Sequence, residues 1–304
     1  MTDLLAILRK HQVNFGCVNR VELDRQHLAD VDLVVAVGGD GTVLSSAHFL
    51  DHGTIPLLGI NSDPNLSKED IAVKRKSDER RSYGELCMCT SRDMEEKLGD
   101  VLYGGGIVQS RTRIRCRVKS TFSETRLVPA LNDLLLANPS PAAVSRFRKG
   151  FLHQVPEDKA SSGLYGTVTR FGKKTYDVVN SLNVWSSGMW VSTATGSTGA
   201  MAACGGRPMN IASQDLQYFI REHMIEPQVL RNCEKDDITN MNNGMIEPNV
   251  RLHVRWNSQK GRIFIDGSHL THNLELGDEI VIDNKAPPLQ IFARGPSDSQ
   301  FGIR

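Results

Sequence analysis

The apolar run Leu33-Val34-Val35-Ala36-Val37 passes directly into Gly38-Gly39-Asp40-Gly41-Thr42 and then into Val43-Leu44-Ser45-Ser46-Ala47. The first run is short, uncharged and rich in β-branched residues, the pattern of a strand buried on both faces. The third reads as the opening turns of a helix, with Thr42 placed to cap it. Strand, glycine turn and helix N-terminus together form an anion site. Glycines let the backbone approach a phosphate closely, and the N–H groups of the first helical turn point at it. Asp40 adds something an affinity loop would avoid, because a carboxylate repels phosphate. It makes sense there if it takes a proton from an attacking hydroxyl or helps hold a metal. The competing reading is an ordinary strand-to-helix turn in which Asp40 caps the helix and does no chemistry.

The 304 residues correspond to about two domains, and such a length can bury a core without disulfides. A net charge of +1 gives no reason to expect a nucleic acid or an anionic membrane as partner. The six cysteines (Cys17, Cys87, Cys89, Cys116, Cys204, Cys233) are scattered, which suits a reducing compartment. No stretch is long and apolar enough to span a bilayer. Residues 1–8 resemble an amphipathic core helix, not a signal peptide. Gly302-Ile303-Arg304 does not match the Ser-Lys-Leu peroxisomal ending. The cytosol is the default expectation, with peroxisome and mitochondrion as alternatives.

Along the chain, residues 2–12 read as a helix, residues 12–18 as a short strand, and Thr54 to Ile60 as the strand after the glycine-turn helix. Two strands around one helix imply a right-handed βαβ unit and a parallel sheet. From Asn61 to Ser82 the composition turns polar and basic, read as a solvated loop. Arg92 to Tyr103 is helix-like and runs into Gly104-Gly105-Gly106, a candidate hinge. Beyond it the period becomes two, in Arg111 to Val118, Thr175 to Val179 and Arg251 to Trp256, and Glu279 to Ile282 and Leu289 to Phe292 continue the strand-like pattern. Asn257 to Gly261 predicts a hairpin joining Arg251–Trp256 to Arg262–Ile265. The fold expected is an α/β Rossmann-like N-terminal domain followed by a mostly antiparallel β domain.

Two further polar groupings interrupt apolar sequence. Asn132 and Asp133 lie inside the run from Leu131 to Leu136. An amide beside a carboxylate can bind vicinal ribose hydroxyls, or can satisfy neighbouring backbone. Thr195-Gly196-Ser197-Thr198 follows the apolar run Gly188 to Val191 and gathers hydroxyls at an expected helix start. That suits a phosphate-bearing ligand, or a well-capped structural helix. Cys87-Met88-Cys89 and His269-Leu270-Thr271-His272 lack zinc-site spacing, so no protein metal site is expected.

These elements in this order, Gly38-Gly39-Asp40-Gly41-Thr42, Asn132-Asp133 and Thr195-Gly196-Ser197-Thr198, resemble the NAD kinases. The first element is shared with diacylglycerol and sphingosine kinases, which leaves a lipid kinase as the alternative. Gly59-Ile60-Asn61, Gly104-Gly105-Gly106, Gly205-Gly206 and Asp266-Gly267 extend the match over nearly the whole chain. Asn61-Ser62-Asp63-Pro64 and Asn138-Pro139-Ser140-Pro141 resemble the divergent eukaryotic branch of plant-type NADH kinases. Ser187-Gly188 and Gly199-Ala200 depart from the family's Asp-Gly and Ala-Tyr. The resemblance implies a Rossmann-like domain over 1–104, with residues 290–304 packing back on it. It implies a dinucleotide-binding β domain over 105–289, the nucleotide lying between the two. The implied reaction moves the γ-phosphoryl of ATP to the adenosine ribose 2′-hydroxyl of NADH or NAD. Asp40 would be the base or orienting carboxylate, and Gly38, Gly39, Gly41 and Thr42 the phosphate cradle. Asn61, Asn132, Asp133, Thr195, Gly196, Ser197 and Thr198 would hold the dinucleotide. Mg²⁺ would enter with ATP, and the protein would be a homodimer.

Overall fold

The computed structural model describes residues 1–63, 83–154, 168–172, 174–225 and 241–294. Most of the basic stretch from Asn61 to Ser82, the segment containing Cys233 and residues 295–304 lie outside it. Contacts divide the chain into two units, residues 1–111 with 288–304, and residues 112–287.

In the first unit the described helices are α1 (Thr2–Lys10), α2 (Asp40–Ala47) and α3 (Met94–Leu102). The strands are β1 (Val34–Gly38), β2 (Leu57–Asn61), β3 (Cys89–Thr90), β4 (Ile107–Arg111) and, from the far end of the chain, β18 (Leu289–Ala293). β1 and β2 are parallel, pairing Val34 with Leu57 through to Gly38 with Asn61. That is the βαβ arrangement expected from the sequence. β2 also pairs in parallel with β3 and with β18, and β18 pairs antiparallel with β4. The run Leu57 to Asn61 is fully buried, as a central parallel strand requires. Leu4, Ile7 and Leu8 of α1 and Leu98 of α3 bury against Leu58, Ile60 and Phe292. Residues 13–19 form no strand, though Val13 and Phe15 pack on this core. Gly104–Gly106 lie inside the unit, between α3 and β4.

The second unit is a two-sheet sandwich. Its seven-stranded sheet contains β5 (Arg115–Lys119), β6 (Glu124–Arg126), β8 (Ser145–Gln154), β9 (Val168–Phe171), β10 (Lys174–Ser186), β14 (Leu252–Trp256) and β17 (Glu279–Asp283). Its six-stranded sheet contains β7 (Asp133–Ala137), β11 (Gly188–Ser192), β12 (Leu216–Arg221), β13 (Asn243–Ile246), β15 (Lys260–Ile265) and β16 (Leu270–Glu275). Every pairing in both is antiparallel. Alternate residues of the two inner faces make one core, with Phe147, Val254, Trp256 and Ile282 from one sheet and Leu134, Leu136, Val191 and Ile263 from the other.

The hairpin expected at Asn257 to Gly261 is not one. β14 pairs with β8 and β17, whereas β15 pairs with β7 and β16. The chain crosses from one sheet to the other. Trp256 stacks on Phe147 in the core, with ring centroids 5.9 Å apart. Asn257 N–H donates to the Arg146 carbonyl at 2.8 Å, and the Arg146 N–H to Ser258 Oγ at 2.8 Å. The Trp256 ring fills the space a Cβ at Gly261 would need, so burial of one indole outweighs local turn propensity. The hairpin present is β15–β16, turning through Asp266 to His269.

Candidate active site

The glycine turn lies at the carboxyl end of the parallel strands, where ligands bind in open α/β sheets. Gly38 ends β1 opposite Asn61 at the end of β2, and Ser62 N–H donates to the Gly38 carbonyl at 3.3 Å. Gly39 is the N-cap of α2, with no side-chain cap. Thr42 is therefore inside the helix and does not cap it. Its N–H bonds to the Gly39 carbonyl at 2.9 Å, and its hydroxyl occupies the space that a Cβ on Gly38 would need. A Cβ on exposed Gly41 would meet nothing within 4 Å, so packing within the chain does not explain that glycine.

Asp40 is half-buried at the first position of α2. It accepts backbone N–H bonds from Gly84 at 3.1 Å and Leu86 at 2.8 Å, on a segment more than forty residues away. One amide on each oxygen fixes the aim of the carboxylate. Gly59 admits that segment, because a Cβ there would lie 2.9 Å from both the Leu86 carbonyl and Val43. Cys87 beside it donates weakly to the Gly38 carbonyl at 3.9 Å. Burial, reinforced by the Asp40 charge, pushes its thiol up to about 12. Asn61 is 1% exposed, and its side-chain oxygen accepts the Asp63 N–H at 3.2 Å. The amide shapes the end of β2 from within. A cavity of about 230 Å³, lined by Arg25, Phe49, Asp51 and His52, lies at the opposite end of α2 from Asp40.

The second group of candidates assembles in the β unit. β7 alternates, so Leu134 and Leu136 enter the sandwich core and Asp133 lies on the other face, 9% exposed. The Asp133 carboxylate has no hydrogen-bond partner among the described residues. Burial, and secondarily the charge of Asp266, raise it from 3.8 to about 7. Asn132 beside it is half-buried, and its amide likewise has no side-chain partner among the described residues.

The turn after β11 closes on this pair. Thr193 N–H donates to the Asn132 carbonyl at 2.9 Å, the Thr193 hydroxyl bonds to the Leu131 carbonyl, and Gly196 packs so tightly that a Cβ would collide with Asn132. Thr195 is half-buried and Thr198 exposed. Ser197 is fully buried, donating to the Ala194 carbonyl at 2.8 Å and accepting the Met209 N–H at 2.9 Å. It braces the loop and offers a ligand no atom. The expected helix N-terminus is a 3₁₀ turn, Gly196–Thr198, followed by the four-residue α4 (Ala200–Ala203). So short a helix builds little macrodipole, and the turn acts through hydroxyls and shape.

Thus the candidates gather as one group in each unit. Three participants escaped the sequence reading. Gly84 and Leu86 act through backbone and leave no side-chain signal. Asp266 appeared only as part of the family match, and the structure gives it three backbone N–H bonds, from Leu131, Asn132 and Asp133. Among the described residues no group of three His, Cys, Asp or Glu could hold a metal, and no helix is long and apolar enough to cross a membrane.

Residues 7–64 match the ATP-NAD kinase N-terminal domain family. An NADH kinase of Arabidopsis thaliana is 37% identical over 286 residues, covering 94% of this chain and 80% of that protein. A probable NADH kinase of Oryza sativa is 34% identical over 287 residues, covering 94% of this chain and 78% of its own. Among solved structures, a yeast NADH kinase complexed with NADH superposes with a TM-score of 0.64 at 15% identity, covering 93% of this chain and 70% of that one. An Archaeoglobus fulgidus NAD kinase in complex with ATP superposes with a TM-score of 0.66 at 18% identity, covering 99% and 90%. Those two likenesses establish the two-domain fold, and the plant relatives establish descent: this chain belongs to the NAD kinase family.

Proposed function

We propose that the protein transfers the γ-phosphoryl group of ATP to the 2′-hydroxyl of the adenosine ribose of NADH or NAD, giving NADPH or NADP and ADP. The observation that carries this reading is Asp133, a nearly buried carboxylate without a hydrogen-bond partner among the described residues, beside the open amide of Asn132. Vicinal ribose hydroxyls donate to the one and exchange hydrogen bonds with the other. The relatives named NADH kinases support the reduced dinucleotide as acceptor. Family membership and relatives named NADH kinases over most of the chain set aside the lipid-kinase alternative.

Asp40 takes or orients the 2′-hydroxyl proton as the oxygen attacks the γ-phosphorus, and the bond to the β-phosphate oxygen breaks. Gly38, Gly39 and Gly41 let phosphate approach the backbone at the start of α2, and Thr42, whose N–H is taken by the Gly39 carbonyl, adds its hydroxyl to the cradle. Mg²⁺ enters as the metal complex of ATP and neutralises phosphate charge, in keeping with an ion held largely by substrate oxygens and water. A homodimer and a reducing compartment complete the proposal. The five described cysteines, all free thiols, support the latter.

The test is an assay of purified protein with Mg-ATP and equal concentrations of NADH and NAD, read as NADPH or NADP. Turnover of neither dinucleotide, with turnover of diacylglycerol or sphingosine instead, would overturn the assignment.

A further inference from the structure

Asp266 follows directly on β15 and holds φ 49°, the left-handed region that asparagine and aspartate tolerate better than most side chains. Its carboxylate gathers three successive backbone N–H groups, Leu131 at 2.8 Å on Oδ2, and Asn132 at 2.7 Å and Asp133 at 3.0 Å on Oδ1. The Asp266 N–H in turn donates to the Asp133 carbonyl at 3.0 Å. A residue in a costly backbone conformation that binds three consecutive amides is over-determined by its surroundings. The amides it holds belong to Asn132 and Asp133, the two residues given the ribose-binding role above, and to Leu131 before them.

We propose that Asp266 is the positioning residue of the ribose site, fixing the backbone from which Asn132 and Asp133 project and placing a fixed negative charge beside Asp133. The inference rests on the ribose-binding role given to Asp133 above. Asp266 is the charged group that acts on Asp133; its neighbour across β11, Ser192, is neutral. A carboxylate clamp therefore does two things with one group. It aims Asp133, and it delays ionisation of Asp133 until the ligand's hydroxyls arrive to stabilise the anion.

The experiment is an NADH titration between pH 5.5 and 8.5 with the wild type, Asp266→Asn and Asp133→Asn, together with steady-state kinetics of Asp266→Gly. In the wild type, NADH affinity rises with pH through about 7 as Asp133 ionises. Asp266→Asn tolerates the backbone conformation and keeps one acceptor oxygen for the amides while removing the charge, so the midpoint of that rise falls by about one pH unit. Asp133→Asn abolishes the rise. Asp266→Gly, which suits φ 49° but lacks the clamp, raises KM for NADH about tenfold or more and leaves KM for ATP unchanged. Slow amide exchange at Leu131 to Asp133 in the wild type tests the clamp without any substitution. An unmoved midpoint in Asp266→Asn, equal rises in both KM values, or fast exchange at these amides would overturn the inference while leaving the kinase reading intact. A wild type that binds no NADH at any pH would overturn both.

Discussion

Asp133→Asn should make the protein more stable while disabling it. The Asp133 carboxyl is raised from 3.8 to about 7 by burial and by Asp266. At about 1.4 kcal/mol per pH unit, that rise is a folding penalty of about 4 kcal/mol once the group is ionised. Because the folded state holds a proton that the unfolded chain has released, stability falls as pH climbs from about 4 to about 7 and is level above that. The amide that the substitution introduces carries no such penalty, but it remains an unpartnered buried polar group costing about 1–3 kcal/mol. The protonated carboxyl bears that cost equally, so the net gain is about 4 kcal/mol at pH 8 and near zero at pH 4, or about 8–16 °C in Tm at pH 8 for a domain of this size. All three tryptophans, Trp185, Trp190 and Trp256, lie in the β unit, so fluorescence melts report on that unit. Melts at pH 5, 6, 7 and 8, with and without NADH, complete the assay. NADH should raise the Tm of the wild type at pH 8 and leave that of the variant unmoved. Parallel pH curves for the two proteins would show that Asp133 bears no ionisation penalty, and the reasoning from its burial would fail.

Asp40→Asn should bind NADH as before and lose turnover about a hundred-fold or more, measured by calorimetry and by product formation; unchanged turnover would remove Asp40 from the chemistry. Gly41→Ala meets nothing within 4 Å and lies in α2, so it should stabilise by up to about 1 kcal/mol while raising KM for ATP. Gly196→Ala, driven into the Asn132 backbone, should lower Tm and raise KM for NADH together. For Glu279, burial alone would raise the carboxyl. Hydrogen bonds from His253 and Thr169, with the charge of Lys119, override that and hold it down at about 2. Its contribution is present above about pH 4.5 and lost as pH falls towards 2. Glu279→Gln should therefore destabilise by about 1–3 kcal/mol at pH 7 and by much less at pH 3, read by urea denaturation.

Local pattern encodes part of this fold. β1, the glycine turn and β2 follow from a buried β-branched run and its punctuation, and the runs at Thr175, Arg251 and Glu279 became antiparallel strands, whereas Leu289 to Phe292 joined the first sheet parallel to β2. Local pattern failed where a distant residue decides. Trp256 converts an expected hairpin into a crossing between sheets, because its ring must be buried opposite Phe147. Ser197 looked like one hydroxyl of a binding turn, yet it faces inward to the Met209 N–H. Asp40 takes its partners from Gly84 and Leu86, which no spacing rule connects to it. Asp266 stands 133 residues from the amide of Asp133, and a carboxylate binding backbone leaves no pattern of its own.

β18 enters the first sheet from the far end of the chain, taking its place between β2 and β4. During synthesis the ribosome therefore releases β1, β2 and β4 long before the strand that joins them exists, and the whole β unit emerges in the interval. Until residue 289 appears, one flank of β2 and one of β4 present open backbone to any passing strand. The β unit, contiguous in sequence, is free to mature first, and the phosphate-loop unit is sealed last. Deleting Leu289–Ala293 should thus yield a chain whose second half melts normally and whose first half aggregates.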